Sequence, residues 1–364
     1  MKKTLYFIAA MTVAASTAMA SKARVTALSN SQAITDVQYI FLNPANMHYV
    51  GDFVTFEMGE KSATAGSAVD GTPNAEGGFI NTLGEGKFGV YLGRMAADTN
   101  GFRAYGNATA VGNFLQQENS TEIFYGAKAG DLNWGASFSF SNSARKNTAV
   151  TTDDQTQSAM GVRMGVRTDE WAGFANIGLG STAKEGEASV KATSGLVLGG
   201  FKDIDNMRLY AQYEMGGAKG KTAAGADAFD KTKTTTSVGF TNTFKNDGNI
   251  AFYGLEYKMI SDNNKVGDSK IATSALPFSI GTEVIASSWL KLRGSVSQNI
   301  LLGTTKTTVA GVGEADSIAQ NTVTAAGAGL VWGHNNLDVV LTAGTSGSLD
   351  AATFGSNASY TYTF

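Results

Sequence analysis

His48 and His334 are the only two histidines in this 364-residue chain, and cysteine is absent. A histidine working as acid or base needs a carboxylate or nucleophile beside it, and a metal centre needs ligands at short, repeated spacing. Neither histidine stands in such a context. Without cysteine no thiolate can form, and no G-x-S-x-G elbow is present. Gly199-Gly200 lacks the strand–loop–helix setting that phosphate binding requires. The chain therefore reads as a non-enzyme, with no catalytic residue, metal or cofactor. Its chemistry-bearing residues are of another kind: charged side chains that recur at every second position and face an apolar partner set.

Residues 249–260 show the pattern best. Ala251, Tyr253, Leu255, Tyr257 and Met259 alternate with Phe252, Gly254, Glu256 and Lys258. Successive side chains of a strand point to opposite faces, so this stretch has one apolar and one polar face. The same alternation sets Met207, Leu209 and Tyr213 against Arg208, Gln212 and Glu214, and Leu290, Leu292 and Val296 against Lys291 and Arg293. In 160–167 it sets Met160, Val162, Met164 and Val166 against Arg163 and Arg167. Helical spacing fits these stretches no better than spacing of two.

About sixteen such stretches, each about ten residues long, run from 52–59 to 354–364. Their connections alternate in length. Short turns such as Gly130-Asp131 and 245–248 alternate with longer polar segments at 60–76, 95–120, 142–157, 218–233, 261–273 and 301–321. That alternation, an even strand number and the scarcity of proline (three in the chain) predict an all-β fold: a closed antiparallel transmembrane β-barrel of about 16 strands over 52–364. Closure pairs every edge, which replaces the disulfide staples of a small exported domain.

Residues 1–20 read as a secretory signal peptide. Lys2 and Lys3 supply the positive start, 5–15 the apolar run and Ala18-Met19-Ala20 the cleavage site. The run is too short to span a bilayer. Formal charge is −3, and removal of Lys2 and Lys3 makes the chain more acidic still, which excludes nucleic acid as a partner.

The final strand ends Tyr360-Thr361-Tyr362-Thr363-Phe364, with three aromatics on one face. It resembles the C-terminal signature of bacterial outer-membrane proteins, which implies recognition by the barrel-assembly machinery through Tyr360, Tyr362 and Phe364 and residence in a Gram-negative outer membrane. Trp134, Trp171, Trp289 and Trp332 all fall near short turns, where a periplasmic aromatic girdle belongs.

Burying a charge against lipid costs roughly 2–4 kcal/mol at mid-depth. The charged face must therefore line the lumen, and Arg163, Arg167, Arg208, Glu214, Glu256, Lys258, Lys291 and Arg293 are the expected pore-lining residues. The reading that follows is a porin-type barrel for passive diffusion of small hydrophilic solutes; resemblance to porins of this size implies a homotrimer. Resemblance to sixteen-stranded porins places the constriction on the loop after the fifth strand, 142–157, with Arg145, Lys146, Asp153 and Asp154. The competing loop is 95–120, unusually apolar for a surface segment with Phe102, Tyr105, Val111, Phe114 and Leu115.

Residues 21–51 break the pattern. Ile34, Val37 or Gln38, and Phe41 give 31–42 a possible helical face, followed by the turn Asn43-Pro44-Ala45-Asn46. Asp36 with Asn43-Pro44-Ala45 resembles the start of the FadL and PorV group of outer-membrane proteins. That resemblance implies an N-terminal hatch inside the lumen, fourteen strands and hydrophobic cargo, to which inward Tyr91, Phe124, Phe174, Tyr210 and Phe252 would contribute. A lead-in docked under the barrel is the other reading of 21–51. A non-conducting structural or surface-recognition barrel is the third functional reading.

Overall fold

The structure is a computed structural model describing residues 21–59, 74–117, 119–146, 154–193, 195–310, 313–318, 322–345 and 355–364. Residues 1–20, the expected signal peptide, and Asp153 lie outside the described residues. Strands β1–β7 are Phe53–Gly59, Asn74–Leu83, Gly86–Leu92, Thr121–Ala129, Leu132–Arg145, Gln155–Arg167 and Trp171–Glu185. Strands β8–β13 are Ala188–Ala192, Gly195–Ile204, Met207–Lys221, Asp227–Asn246, Asn249–Asn264 and Ser269–Ser287, and β14–β18 are Leu290–Val309, Gly313–Ile318, Thr322–Trp332, Asn335–Thr345 and Gly355–Thr363.

Each strand pairs antiparallel with its neighbours, and β18 returns to β1 through Phe53 opposite Thr363 and Met58 opposite Ala358. The eighteen segments make sixteen wall strands. β7 and β10 both pair with β8 at one end and β9 at the other, so β8 and β9 are one interrupted strand. β14 likewise pairs with β15 and then β16. The result is the closed 16-strand antiparallel barrel expected from the alternation. Pro277, which cannot donate to a ladder, falls where the β13–β14 register shifts. No described helix is long and apolar enough to cross a membrane.

Strands run into four of the segments expected to be long loops. β10 and β11 pair as far as Lys221 and Asp227, β12 and β13 as far as Asn264 and Ser269, and β14 runs to Val309. β5 and β6 pair as far as Arg145 and Gln155, which takes both ends of 142–157 into a hairpin. Above the membrane the outer face of a strand meets water instead of lipid, so the lipid-facing apolar stripe that marks the lower strands disappears. Threonines such as Thr234–Thr236 and Thr304–Thr305 retain the β-branched preference instead.

Outward positions form an apolar belt, including exposed Phe56, Met58, Phe138, Met164, Leu209, Tyr257, Leu292 and Leu341. The four tryptophans are exposed at the short-turn end. An exposed apolar belt of this extent is stable only against lipid.

The interior is not empty. Helix α1 (Lys22–Ala27) and two 3-10 turns, Val37–Phe41 and Pro44–His48, lie within the barrel. The helical face expected over 31–42 is thus the first 3-10 turn only, because Asp36 caps it at Gln38 and Asn43 caps the next at Ala45. Val37, Ile40, Phe41, Met47 and Val50 bury against Phe53, Ile80, Tyr91 and Phe124 of β1–β4. Residues 21–51 thus pack against the inner faces of the wall strands.

Candidate functional site

The plug is held by charge. Ser21 caps α1 by accepting from Arg24 N, and its hydroxyl donates to Asp338 Oδ2 at 2.9 Å. Arg24 is buried and forks onto Glu283 of β13: Nε donates to Oε2 at 2.7 Å and Nη2 to Oε1 at 3.0 Å. A bidentate pair of this kind fixes direction as well as distance. Glu283 also accepts from Arg293 of β14, which reaches across β16 to Asp338 of β17. Gly329 makes that reach possible, since a Cβ there would lie 2.7 Å from both Arg293 Nη2 and Asp338 Oδ1.

Asp36 completes the chain, 3.6 Å from Arg24 Nη1 and accepting from Gln38 N at 2.9 Å. Burial pushes its carboxyl up to about 8, against the pull of Arg24. Further round the same arc of wall, past β18 and β1 from Asp338, Lys22 pairs with Glu76 of β2. Gln38 Nε2 donates to Glu57 of β1 at 2.6 Å, and Arg94 joins Gln38 and Glu76.

The Asn43-Pro44 turn is seated on two glycines. A Cβ on Gly165 would lie 1.9 Å from Asn43 Oδ1, and one on Gly135 would lie 2.5 Å from Pro44 C. With those positions bare, Asn43 Nδ2 donates to Val166 O at 3.2 Å and Gly173 O at 3.4 Å. Asn176 Nδ2 donates to Leu42 O at 3.1 Å, and Arg167 Nη1 to Asn46 Oδ1 at 2.6 Å. Ser29 and Ser295 hydroxyls meet at 2.7 Å. The plug is therefore tied to strands on every side of the barrel.

The outer lumen is occupied by 94–117. Helix α2 (Ala97–Ala108) carries Arg103, 1% exposed, whose guanidinium donates to Leu115 O, Gln157 Oε1, Ser158 O and Ser181 Oγ at 2.7–3.3 Å. Burial lowers Arg103 to about 10. Val111 and Phe114 pack with Ala183, Val190, Ala218 and Phe229 on the inner wall, and the Tyr105 ring meets Phe229 edge-on at 5.1 Å. Apolar residues in this loop avoid water by turning inward. By contrast, Arg145, Lys146 and Asp154 are exposed at the outer end of the β5–β6 hairpin. The structure places the competing loop, 94–117, in the lumen, where Val111 and Phe114 find an apolar wall; residues 147–153 of the expected constriction loop lie outside the described residues.

The expected pore-lining residues do face inward, yet most of their charges are matched. Arg163 pairs with Glu122, Arg208 forks onto Asp203 at 2.6 Å, and Arg293 is shared between Glu283 and Asp338. Arg167 lies 3.8 Å over the Tyr49 ring, and Lys291 precedes Arg293 on the same inward face. Partly dehydrated charges are tolerated when they are paired, so these arginines do not form an open basic wall. The inward aromatics divide by task. Tyr91 and Phe124 pack edge-on against Phe41 of the plug at 4.7 and 5.6 Å, and Phe252 clusters with Leu28 and Ile34. Of the five expected aromatics, Phe174 and Tyr210 line free space, together with Phe201 of β9. Arg24 and Arg103 are anchors that spacing did not mark, since neither lies in an alternating stretch.

That free space is a cavity of about 330 Å³ between the plug and β6–β12. The plug contributes Ser29, Gln32, Tyr39 and Asn43. The wall contributes Arg167, Phe174, Arg208, Tyr210, Gln212, Glu214, Thr235, Ser237, Glu256 and Lys258. Among the described residues no cluster of three histidine or acidic side chains is arranged to hold a metal ion.

The closed wall and its apolar belt define a membrane-spanning β-barrel whose lumen is filled by its own chain. No family model matches the chain, and no curated protein matches it in sequence. Solved structures do resemble it. CdiB from Acinetobacter baumannii is 10% identical over 85% of this chain and 59% of its own, with a TM-score of 0.46. The loop L8 deletion mutant of OmpT from Vibrio cholerae is 13% identical over 85% and 97%, at 0.44. The Ralstonia pickettii toluene transporter TbuX is 12% identical over 95% and 98%, at 0.40. Likeness at this level concerns barrel architecture alone.

Proposed function

We propose that this chain is an exported Gram-negative outer-membrane channel for small hydrophilic solutes, closed at rest by its own N-terminal segment. The observation that carries the reading is the docking of 21–51 across the lumen, with Arg24 buried on Glu283 and the Asn43-Pro44 turn seated on Gly135 and Gly165. A plug tied this widely is incompatible with a permanently open sixteen-strand pore. Solutes would pass when it shifts, by way of the cavity.

A hatch also suits the FadL-like alternative, in which the cargo is hydrophobic. The cavity favours the hydrophilic reading, because Glu214, Glu256 and Lys258 face it and a hydrocarbon would strip water from all three without replacing it.

Single-channel recording in a planar bilayer tests the proposal. The intact protein is expected to give small, infrequent steps, and a variant lacking 21–51 large and persistent ones. Large steady steps from the intact protein would favour an open porin, and silence from both would favour a structural barrel. Export after cleavage at Ala20, assembly through Tyr360, Tyr362 and Phe364, and a trimeric state belong to the same proposal.

A further inference from the structure

The cavity wall carries charges that the barrel does not neutralise. On β10–β12 the inward positions form three rungs: Tyr210, Gly239 and Glu256; then Gln212, Ser237 and Lys258; then Glu214 and Thr235. Successive rungs are about 6.6 Å apart along the strands. The ammonium rung therefore lies between two carboxylate rungs.

Among the described residues Lys258 makes no hydrogen bond and no ion pair. Glu256 accepts only neutral donors, Tyr210 OH at 3.1 Å and Ser237 Oγ at 3.5 Å. Glu214 accepts from Gln212 Nε2 and likewise lacks a cationic partner. Tyr210 reaches Glu256 because Gly239 lies beneath it; a Cβ there would come within 2.5 Å of the phenol oxygen. Elsewhere in this lumen Arg24, Arg163, Arg208 and Arg293 are each matched to a carboxylate. Lys258, Glu256 and Glu214 depart from that matching where they line the cavity, as does Arg167, another lining residue, which donates to Asn46 and lies over Tyr49.

We propose that the cavity binds a zwitterionic solute that carries a primary ammonium and a carboxylate, such as an amino acid or short peptide. Glu256 or Glu214, one rung to either side, receives the ammonium and Lys258 the carboxylate, while Gln212, Thr235 and Ser237 offer neutral polar groups between them. A cation alone leaves Lys258 opposing it, and an anion alone meets two carboxylates at close, poorly screened range. A volume of about 330 Å³ suits a small solute of this kind. The proposal rests on the lumen being a solute path and names the solute class.

The test uses the full-length protein in detergent micelles, titrated with glycylglycine and followed by ligand NMR, with propylamine and propionate as singly charged controls. Glycylglycine is expected to bind at least about tenfold more tightly than either control, as one additional charge-assisted contact implies. Lys258→Gln and Glu256→Gln should each weaken it by about the same factor while the barrel keeps its heat-modifiable mobility. Propylamine binding as tightly as glycylglycine, or glycylglycine binding that is indifferent to Lys258→Gln, overturns the proposal. Binding is read without a membrane, so a silent bilayer record beside intact binding would fault the channel reading alone.

Discussion

Replacing Arg24 with methionine keeps much of the side-chain volume and removes the charge that ties α1 to the wall. Two hydrogen bonds to Glu283, at 2.7 and 3.0 Å, are lost together with a third to Thr35 O at 3.3 Å. Glu283 retains Arg293, whereas Asp36 loses the one cation within 4 Å. Breaking a buried pair in this way typically costs about 3–5 kcal/mol. At about 1.4 kcal/mol per tenfold, the undocked population of the plug should rise by about 10² to a few times 10³. Hydrogen exchange reads this directly. The amides of Val25, Leu28 and Asn30 bond within the plug at 2.8–3.2 Å, and their protection should fall by the same factor while strand amides keep theirs. Lys202→Met, which removes an exposed pair with Glu170, is the control and should change nothing measurable. Protection of α1 that stays within about threefold of the parent in Arg24→Met would refute the anchoring role.

Asp36 should make docking depend on pH. Its carboxyl is raised from 3.8 to about 8 in the docked plug, so the docked state holds a proton that the free segment releases. Docking is then strongest below about pH 4 and weakens as pH rises through about 8; exchange protection measured from pH 5 to 9 should fall, and Asp36→Asn should flatten the profile. Gly165→Leu should expel Asn43 from its seat and increase bilayer conductance without loss of the barrel, since the clash is with the plug; unchanged conductance would contradict the seating. Replacing Tyr362 and Phe364 with serine should deplete folded, heat-modifiable protein from the outer membrane, and normal yields would show that the assembly signal lies elsewhere.

The barrel was legible in the chain because a strand with lipid on one side and a hydrated lumen on the other must alternate. Stretches such as 121–129 and 249–260 announce both their faces and their limits. The hairpin extensions were not legible, since Lys219–Asp230 and Thr305–Ser317 pair where no lipid meets the outer face, so no lipid-facing apolar stripe marks them. The plug was half legible. The Asn43-Pro44-Ala45 turn and its preceding Asp36 were recognisable, but the glycines that receive them, Gly135 and Gly165, lie about 90 to 130 residues away on β5 and β6. The charge network was hidden for the same reason: Arg24 and Glu283 are 259 positions apart. Inward charge could be assigned strand by strand, whereas its neutralisation depends on neighbours around a closed circle.

The absence of native cysteine gives a direct test of the central claim, that 21–51 sits inside the barrel. Ser29 of the plug and Ser295 of β14 have their hydroxyl oxygens 2.7 Å apart. In a variant carrying Ser29→Cys and Ser295→Cys, the account predicts a disulfide that forms in cells and is recovered as a cross-linked peptide by mass spectrometry. Bilayer conductance should be low when it is oxidised and should recover parental gating on reduction. Two free thiols, both alkylated by maleimide in the folded barrel, would contradict it.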